Sequence, residues 1–165
     1  MKQELRVAAY AVCVRDEAIL LARLTLRDGS KRWTLPGGGI DHGEDPYDTV
    51  IREVEEETGF AIEPTVLLGV DSQRHTYPRR LGATADFQSL RIVYEAKVTG
   101  GELRHEANGS TDMAAWHPLK QIPALDRVLL VDVGLTLWRE RPVIGRAPGI
   151  PEPPPAPPPG GAPRK

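Results

Sequence analysis

The sequence lacks the features that mark disulfide-bonded proteins and proteins that bind long nucleic acids. Cys13 is the only cysteine, and it lies within an apolar stretch, Ala11–Val14. A single cysteine excludes a disulfide framework within the chain, and the apolar setting favours a small buried side chain over a nucleophile. The net charge is -2 and the pI is about 6.1, so no basic surplus predicts binding to extended nucleic acid.

Long apolar segments are also lacking. No run approaches the length of about 20 residues that a membrane span requires, and the N-terminus has no basic region followed by an apolar run and a cleavage site. We therefore expect no membrane association and a cytoplasmic location. The 165 residues, 40% hydrophobic and 27% charged, are enough for one globular domain with its own core.

Apolar runs of strand length recur along the chain between two segments of helical periodicity. The predicted strands cover residues 5–14, 19–24, 62–71, 90–98 and 113–117. The predicted helices cover residues 45–59 and 124–139, and the polar segments 74–86 and 102–111 are interpreted as loops. This pattern favours an α/β fold in which helices pack on a layered sheet.

The composition changes abruptly at Pro142, where the sequence becomes PVIGRAPGIPEPPPAPPPGGAPRK. After Ile150 the segment has too few apolar side chains to offset the entropy of ordering, which predicts a disordered or polyproline II tail. We therefore divide the chain into a domain at residues 1–141 and a tail at residues 142–165. A solvated tail is the favoured interpretation, and a proline-rich ligand for an aromatic groove is the alternative.

The first predicted helix has clear start and stop signals. Asp45 suits the N-cap and Pro46 the first helical position, while Gly59 is placed to end the helix. Before it, Pro36 and the glycines at 37–39 are expected to interrupt any regular element and to let the backbone approach a ligand closely.

Three carboxylates of this helix share one face. Glu53, Glu56 and Glu57 stand at i, i+3 and i+4, so they form a narrow stripe. Like charges at this spacing destabilise a helix unless a positive charge lies between them. The simplest such charge is a divalent metal ion, although a solvated acidic face is the more common fate of a charge run.

The residues around this stripe follow a longer pattern with fixed spacing. In order, it is Gly38, five residues, Glu44, seven residues, Arg52-Glu53-Val54, one residue, Glu56-Glu57, one residue and Gly59-Phe60. This pattern resembles the signature of the Nudix hydrolases, and every fixed position matches. The resemblance implies a Nudix-type α/β/α sandwich with a mixed β-sheet. It also implies hydrolysis of a phosphoanhydride bond in a nucleoside diphosphate linked to another moiety, with Mg²⁺ or Mn²⁺ as cofactor.

The resemblance also implies roles for individual residues. Those implied in metal binding are Gly37, through its carbonyl, together with Glu44, Glu53, Glu56 and Glu57. Glu56 and Glu57 would be the principal ligands, and Glu53 either a ligand or the base that activates water. Arg52 would orient the catalytic glutamates through salt bridges. The residues expected to act in catalysis are therefore Arg52, Glu53 and Glu56.

Candidates outside this pattern depend on weaker signals. Family members often carry a further acidic ligand or base before the tryptophan strand, and Glu106 and Asp112 lie in that neighbourhood. Candidate substrate-binding residues are these two acids together with Arg74, His75, Arg79 and Arg80. For the four basic residues a surface role is equally open, because an exposed loop is expected to be polar.

Two other functions stay open at this point. The chain could be a regulatory Nudix domain that binds a nucleotide without turnover, or a scaffold that recruits a partner through its proline-rich tail. The expected partner is a small nucleotide-type substrate, and a homodimer is left open. The pattern does not distinguish among the nucleotide substrates of the family.

Overall fold

The computed structural model describes residues 2–79 and 82–152. The strands within these residues are β1 Lys2–Val12, β2 Val14–Arg15, β3 Ala18–Thr25, β4 Lys31–Thr34, β5 Gly37–Gly39, β6 Phe60–Pro78, β7 Thr84–Gly101 and β8 Thr111–Pro118. The helices are α1 Pro46–Thr58, a 3-10 helix Leu119–Ala124 and α2 Leu129–Glu140.

The strands form two sheets. The first sheet has the order β5-β1-β7-β6, in which β1 runs parallel to β7 and antiparallel to β5. The second sheet has the order β2-β3-β4, and β8 also pairs with β3. The mixture of parallel and antiparallel pairing together with the helices confirms the predicted α/β class with a mixed sheet.

The core lies on both faces of the first sheet because successive residues of β1 point to opposite sides. Ala9 and Cys13 pack with Val50 and Val54 of α1, whereas Tyr10 enters the cluster that contains the buried face of α2. Cys13 is buried, as predicted, and burial raises the pKa of its thiol to about 12, which disfavours the reactive thiolate.

The prediction of a loop at residues 74–86 is wrong. β6 continues to Pro78 and β7 begins at Thr84, so the two strands form one long hairpin. The polar side chains of this region are paired across strands: the guanidinium of Arg74 binds the carboxylate of Asp86 at 2.6 and 2.7 Å. The polar composition of this segment is therefore that of exposed, paired strands and not that of a loop.

The expectation that the glycines at 37–39 interrupt regular structure is wrong, because they form the edge strand β5. They pair antiparallel with Ala8, Ala9 and Tyr10 of β1. A Cβ at Gly37 would lie 2.2 Å from the Ala9 carbonyl oxygen, and the φ of Gly37 is +147°. The lack of side chains allows this close approach of the two strands.

The closing helix starts later than predicted, at Leu129 rather than residue 124. Pro123 lies within the 3-10 helix that precedes it. Asp132, which breaks the apolar pattern of α2, forms a two-bond ion pair with Arg127, with both distances at 2.9 Å. No helix in the described part of the chain has both the length and the hydropathy that a membrane span requires.

Residues 142–150 lie against the edge of the first sheet. The Val70 amide of β6 donates to the Gly145 carbonyl at 2.9 Å, and a Cβ at Gly69 would lie 2.2 Å from that same oxygen. Ala147 and Ile150 pack on the core cluster. The domain boundary at residue 141 stays a prediction, and the proline-rich residues 153–165 lie outside the described residues.

Candidate functional site

The helix α1 has the start and end that its sequence predicts. The Asp45 side chain caps it by accepting from the Tyr47 amide at 2.8 Å, and Gly59 ends it in the left-handed conformation, with φ at 80°. The Arg104 amide donates to the Thr58 carbonyl at 2.8 Å. This bond holds the loop between β7 and β8 against the C-terminal end of α1.

Glu57 is a buried carboxylate at the junction of α1 and β5. Its side chain is 4% exposed, and its Oε2 accepts a hydrogen bond from the Gly37 amide at 2.9 Å. Burial raises the pKa of Glu57 to about 8, against the effect of that hydrogen bond, and the charges of Glu53, Glu106 and Glu56 raise it further. Its ionised form therefore lacks a compensating positive charge.

Glu53 lies beside Glu57 and has a pKa shifted in the same direction. Burial is the main cause of the raised pKa, and the hydrogen bond from Arg52 at 3.0 Å opposes it. A Cβ at position 38 would lie 2.5 Å from the Glu53 carboxyl carbon. The side chain of Glu53 thus occupies space that only a glycine at position 38 leaves open.

Arg52 links the helix to the loop before it. Its guanidinium donates to both carboxylate oxygens of Glu44 at 2.8 and 2.9 Å, and it lies 3.4 Å from Glu56. These bonds, with a further one from Thr49, lower the pKa of Glu44 to about 2. Arg52 and Glu44 therefore form a compensated pair adjacent to the uncompensated carboxylates.

Thr49 is a member of this network that the sequence reasoning missed. Its side chain is fully buried, and its hydroxyl lies 2.7 Å from Glu44 Oε2. A polar residue on the inward-facing side of an otherwise apolar helix face is the signal that could have identified it. The hydroxyl fixes Glu44, which in turn fixes Arg52.

Asp112 lies between two basic residues. Arg23 donates two hydrogen bonds to its carboxylate, both at 2.9 Å, and Lys31 forms a further ion pair with it. Arg23 first and then Lys31 hold the pKa of Asp112 well below its usual range. This carboxylate already has the positive charge that it needs.

Glu106 differs from Asp112 in its surroundings. Its carboxylate accepts a hydrogen bond from the Thr111 hydroxyl at 2.7 Å. Its charge contributes to the raised pKa of Glu53 and Glu57, so the loop places Glu106 in the same electrostatic environment as the helix carboxylates. Of these two candidates, the structure brings Glu106 towards α1, whereas the contacts of Asp112 are with β3 and β4.

The basic candidates of the hairpin are spread over its surface. Arg74 is occupied by its ion pair with Asp86, and Arg79 lies 3.3 Å from an acidic residue of β1. His75 belongs to a group of aromatic side chains at the far end of the first sheet. Arg80 lies outside the described residues.

The donors around α1 fit a divalent cation by their chemistry. In the described part of the chain, no three His, Cys, Asp or Glu side chains are already gathered as a metal site. Arg52 contacts two of the helix carboxylates in this arrangement. The available donors are carboxylate oxygens on a rigid helix and the Gly37 carbonyl, the type of ligand that Mg²⁺ and Mn²⁺ prefer. The buried Glu57 requires a positive charge when it is ionised.

A cavity of about 620 Å³ lies elsewhere, between β6 and residues 142–150. Its lining includes Leu67, Val133 and Ile144. None of its lining residues belongs to the acidic group of α1, so the volume of a cavity does not identify the site in this protein.

The geometry and the sequence pattern agree with the comparison against known families. The model of the NUDIX domain matches residues 4–136. The chain therefore belongs to the NUDIX domain family.

The match between this chain and each relative covers only part of the relative's length. The human 8-oxo-dGDP phosphatase is 32% identical over 119 residues, which are 71% of this chain and 33% of that protein. The ADP-ribose pyrophosphatase of Methanocaldococcus jannaschii is 32% identical over 119 residues, 72% of this chain and 65% of that protein. The chain thus spans a third to just under two thirds of these relatives.

A NUDIX hydrolase structure from Nitrosomonas europaea has 25% identity and a TM-score of 0.65, covering 83% of this chain and 90% of that one.

Proposed function

We propose that the chain hydrolyses a phosphoanhydride bond in a nucleoside diphosphate linked to another moiety, with Mg²⁺ or Mn²⁺ as cofactor. Two relatives are named for ADP-ribose and for 8-oxo-dGDP, and both compounds contain a nucleoside diphosphate. Their shared chemistry supports a diphosphate substrate. The identity of the attached group is left to experiment.

The observation that carries the proposal is the electrostatic state of Glu57. The carboxylate is buried and has three acidic neighbours, which together raise its pKa to about 8. A carboxylate that is buried for structural reasons alone is normally paired with a cation, whereas Glu57 accepts its hydrogen bond from the uncharged Gly37 amide. The helix retains this unfavourable arrangement where its sequence matches the family pattern, which favours a binding role for the site.

The residues proposed to hold the ion are Glu56 and Glu57, with Glu53 and the Gly37 carbonyl as further donors. When bound, such an ion would screen the charge of the diphosphate and lower the pKa of a water molecule, which would then lose its proton more readily as it attacks phosphorus. Glu44 supports the loop through Arg52. The β5 glycines leave the backbone open to the substrate phosphates.

The chain itself supplies a base and its orientation. Burial raises the pKa of Glu53, which makes it a stronger base than an ordinary carboxylate and suits it to accept a proton from water. Arg52 contacts Glu53 at 3.0 Å and Glu56 at 3.4 Å, which limits the positions available to both carboxylates. Glu106 is the alternative base, because its charge acts on the same group.

The proposal is tested by product release from ADP-ribose and 8-oxo-dGDP, each with Mg²⁺, with Mn²⁺ and with a chelator. The parent protein is compared with Glu56→Gln and with Glu55→Gln, whose side chain is exposed on the same helix. We expect metal-dependent hydrolysis that Glu56→Gln reduces by roughly 100-fold or more and that Glu55→Gln leaves within about twofold.

Two results would contradict the proposal. An inactive parent that still binds the nucleotide would favour the regulatory function. Equal activity of the parent and Glu56→Gln would place the chemistry elsewhere.

A separate variant tests the proline-rich tail. Truncation after Glu152 removes only residues beyond the described part of the chain, so retained activity would exclude a catalytic role for the tail.

A further inference from the structure

A second cleft opens at the end of β1, where the two sheets diverge. The last pair between β1 and β7 joins Val12 to Glu95, and β7 continues beyond it to Gly101. The next residue of the chain, Cys13, already bonds to the second sheet, because its carbonyl accepts from the Leu20 amide at 3.0 Å. The chain thus passes from one sheet to the other within a single residue, and a cleft of about 550 Å³ remains between them.

This cleft is separate from the carboxylates of α1. Tyr10 pairs with Gly37, whose amide contacts Glu57, and Cys13 follows Tyr10 by three residues, about 10 Å along an extended chain. None of the described residues that line the cleft belongs to α1. We call it the sheet-end cleft, and its charged and aromatic lining residues are Arg15, Glu95, Lys97, Trp116, Trp138 and Arg141.

Two tryptophans from different elements form walls of the sheet-end cleft. Trp116 comes from β8 and Trp138 from α2, and both side chains are partly buried. The Arg15 guanidinium lies 4.5 Å from the centroid of the Trp116 ring, which is within the range of a cation–π contact. The cleft therefore offers an aromatic surface for a ring beside the N–H donors of a guanidinium, which suit an acid group.

The sheet-end cleft has an excess of positive charge. Its described lining contains three cationic side chains and one carboxylate, and this carboxylate, Glu95, is already bound by Arg141. Arg15 and Lys97 form no ion pair with any described residue. The whole chain has a net charge of -2, so the excess is a local feature. A phosphate monoester carries a charge of about -1.5 to -2 at pH 7, which matches two unpaired cations.

A β-bulge shapes the wall that β6 contributes to the cleft. The register of β6 against β7 shifts between Pro64 and Val66, so Thr65 has no direct partner in β7. Thr65 lines the cleft, and its hydroxyl donates to the Glu95 carbonyl at 3.3 Å. Bulges often lie beside functional sites, where they redirect a side chain, and this one adds a hydroxyl to the lining.

We propose that the sheet-end cleft binds an aromatic phosphate monoester, the chemistry that a nucleoside monophosphate presents. The ring packs against Trp138, and Arg15 and Lys97 bind the phosphate. The volume of about 550 Å³ lies within the range of about 300–1,000 Å³ that is usual for whole-ligand pockets. The proposed hydrolysis would release a nucleoside monophosphate, so the reaction at α1 would supply such a ligand. Binding in the cleft itself requires neither a metal ion nor turnover.

The test is isothermal titration calorimetry with AMP in the presence of a chelator, where metal-dependent binding at α1 does not occur. Adenosine lacks the phosphate of AMP, and ribose 5-phosphate lacks its base, so the two compounds separate the contributions of charge and ring. We expect the parent to bind AMP about tenfold more tightly than either of them.

Two variants remove the cations one at a time. Arg15→Gln and Lys97→Gln should each weaken AMP binding about tenfold and leave adenosine binding unchanged, because only AMP carries the phosphate. Both side chains are exposed, so neither replacement leaves a void in the core. Lys120→Gln is the matched control: this lysine is also exposed but lies outside the cleft, and its replacement changes the net charge by the same amount.

Tryptophan fluorescence checks where AMP binds. Trp116 and Trp138 line the cleft, so AMP should quench the emission of the parent, and Arg15→Gln should shift the quenching curve by the same factor as the calorimetric affinity. Binding without quenching would place AMP away from both rings and would contradict the proposal. AMP affinity that is unchanged in Arg15→Gln and Lys97→Gln would also contradict it, as would an equal loss in Lys120→Gln or no binding by the parent.

The outcome is independent of turnover. AMP binding that depends on Arg15 and Lys97, in a protein that hydrolyses nothing under any metal condition, would support the sheet-end cleft and contradict the proposed function. Hydrolysis by a protein that binds no AMP in the cleft would support the proposed function and contradict the second site.

Discussion

Two acidic regions of this protein show opposite electrostatic states. Glu57 on α1 is buried among like charges, and its pKa is raised to about 8. Asp112 on β8 lies between Arg23 and Lys31, and its pKa is lowered. The two regions differ in the positive charge beside the carboxylate: Arg23 and Lys31 contact Asp112, whereas the charges that act on Glu57 are those of other glutamates. An acidic group that folding leaves uncompensated is the better candidate for a cation site.

The same distinction divides the residues of the family pattern. Glu44 resembles Asp112, because Arg52 compensates its charge and its pKa falls to about 2. Glu53 resembles Glu57, because burial raises its pKa despite one bond from Arg52. The compensated carboxylates hold the loop and the helix together, and the uncompensated ones are available to a ligand.

The largest expected effect is that of Glu57→Gln on hydrolysis. The amide keeps the size of the side chain but removes the charge that would bind the ion, so we expect kcat/KM to fall by roughly 100- to 1,000-fold. Steady-state kinetics with Mg²⁺ on ADP-ribose measure the loss. Activity within about fivefold of the parent would remove Glu57 from the proposed ligands and would break the comparison.

The pH dependence of stability without metal should show the strain at Glu57. Its pKa is about 8 in the folded protein, compared with an ordinary value of 4.5. Between these values the folded protein retains a proton that the unfolded chain has lost, so the free energy of unfolding decreases as the pH rises from about 5 to above 8. Glu57→Gln should flatten this part of the profile.

The measurement is the midpoint of thermal unfolding from pH 5.5 to 9, with a chelator or with Mn²⁺. The ion favours ionised Glu57, so Mn²⁺ should raise the midpoint most at the alkaline end. A parent profile that matches that of Glu57→Gln, with no effect of Mn²⁺, would contradict both the raised pKa and the cation site.

The sequence was sufficient to predict α1 and the class of the fold. The cap at Asp45, Pro46 and the terminal Gly59 are local signals, and the i, i+3, i+4 spacing follows directly from helix geometry. The hairpin at residues 74–86 could not be predicted in the same way. Arg74 pairs with Asp86, and Tyr77 and Arg79 pair with Glu4 of β1. Such pairing across strands is invisible in a local window.

The same limit applies to Glu106 and Asp112. The two residues looked equivalent because both lie near the loop before β8. Arg23 and Lys31 are more than 80 positions before Asp112, and only the pairing of β3 with β4 and β8 brings them to it. Thr49 was missed because a buried hydroxyl becomes informative only when its acceptor is known.

Thr49→Val should have an intermediate effect. Valine fills the same volume but cannot donate to Glu44, so the Glu44–Arg52 pair loses one fixed contact and the glutamates of α1 become less well oriented. We expect about a tenfold decrease in kcat with a smaller change in KM, and recovery by Thr49→Ser. If Thr49→Ser were as impaired as Thr49→Val, the volume of the side chain and not its hydroxyl would explain the effect.

Asp112→Asn should change hydrolysis least. The amide still accepts hydrogen bonds, but Arg23 and Lys31 lose a full negative charge, so the cost falls on stability and is small, because exposed ion pairs contribute little. Since the pKa of Asp112 is lowered in the folded state, its contribution is present at neutral pH and disappears as the pH falls below the ordinary value of 3.8. Urea unfolding at pH 7 and pH 3 measures this contribution, and kcat/KM should stay within about threefold of the parent. A loss as large as that of Glu57→Gln would show that a compensated carboxylate also takes part in the reaction, and the distinction between the two regions would fail.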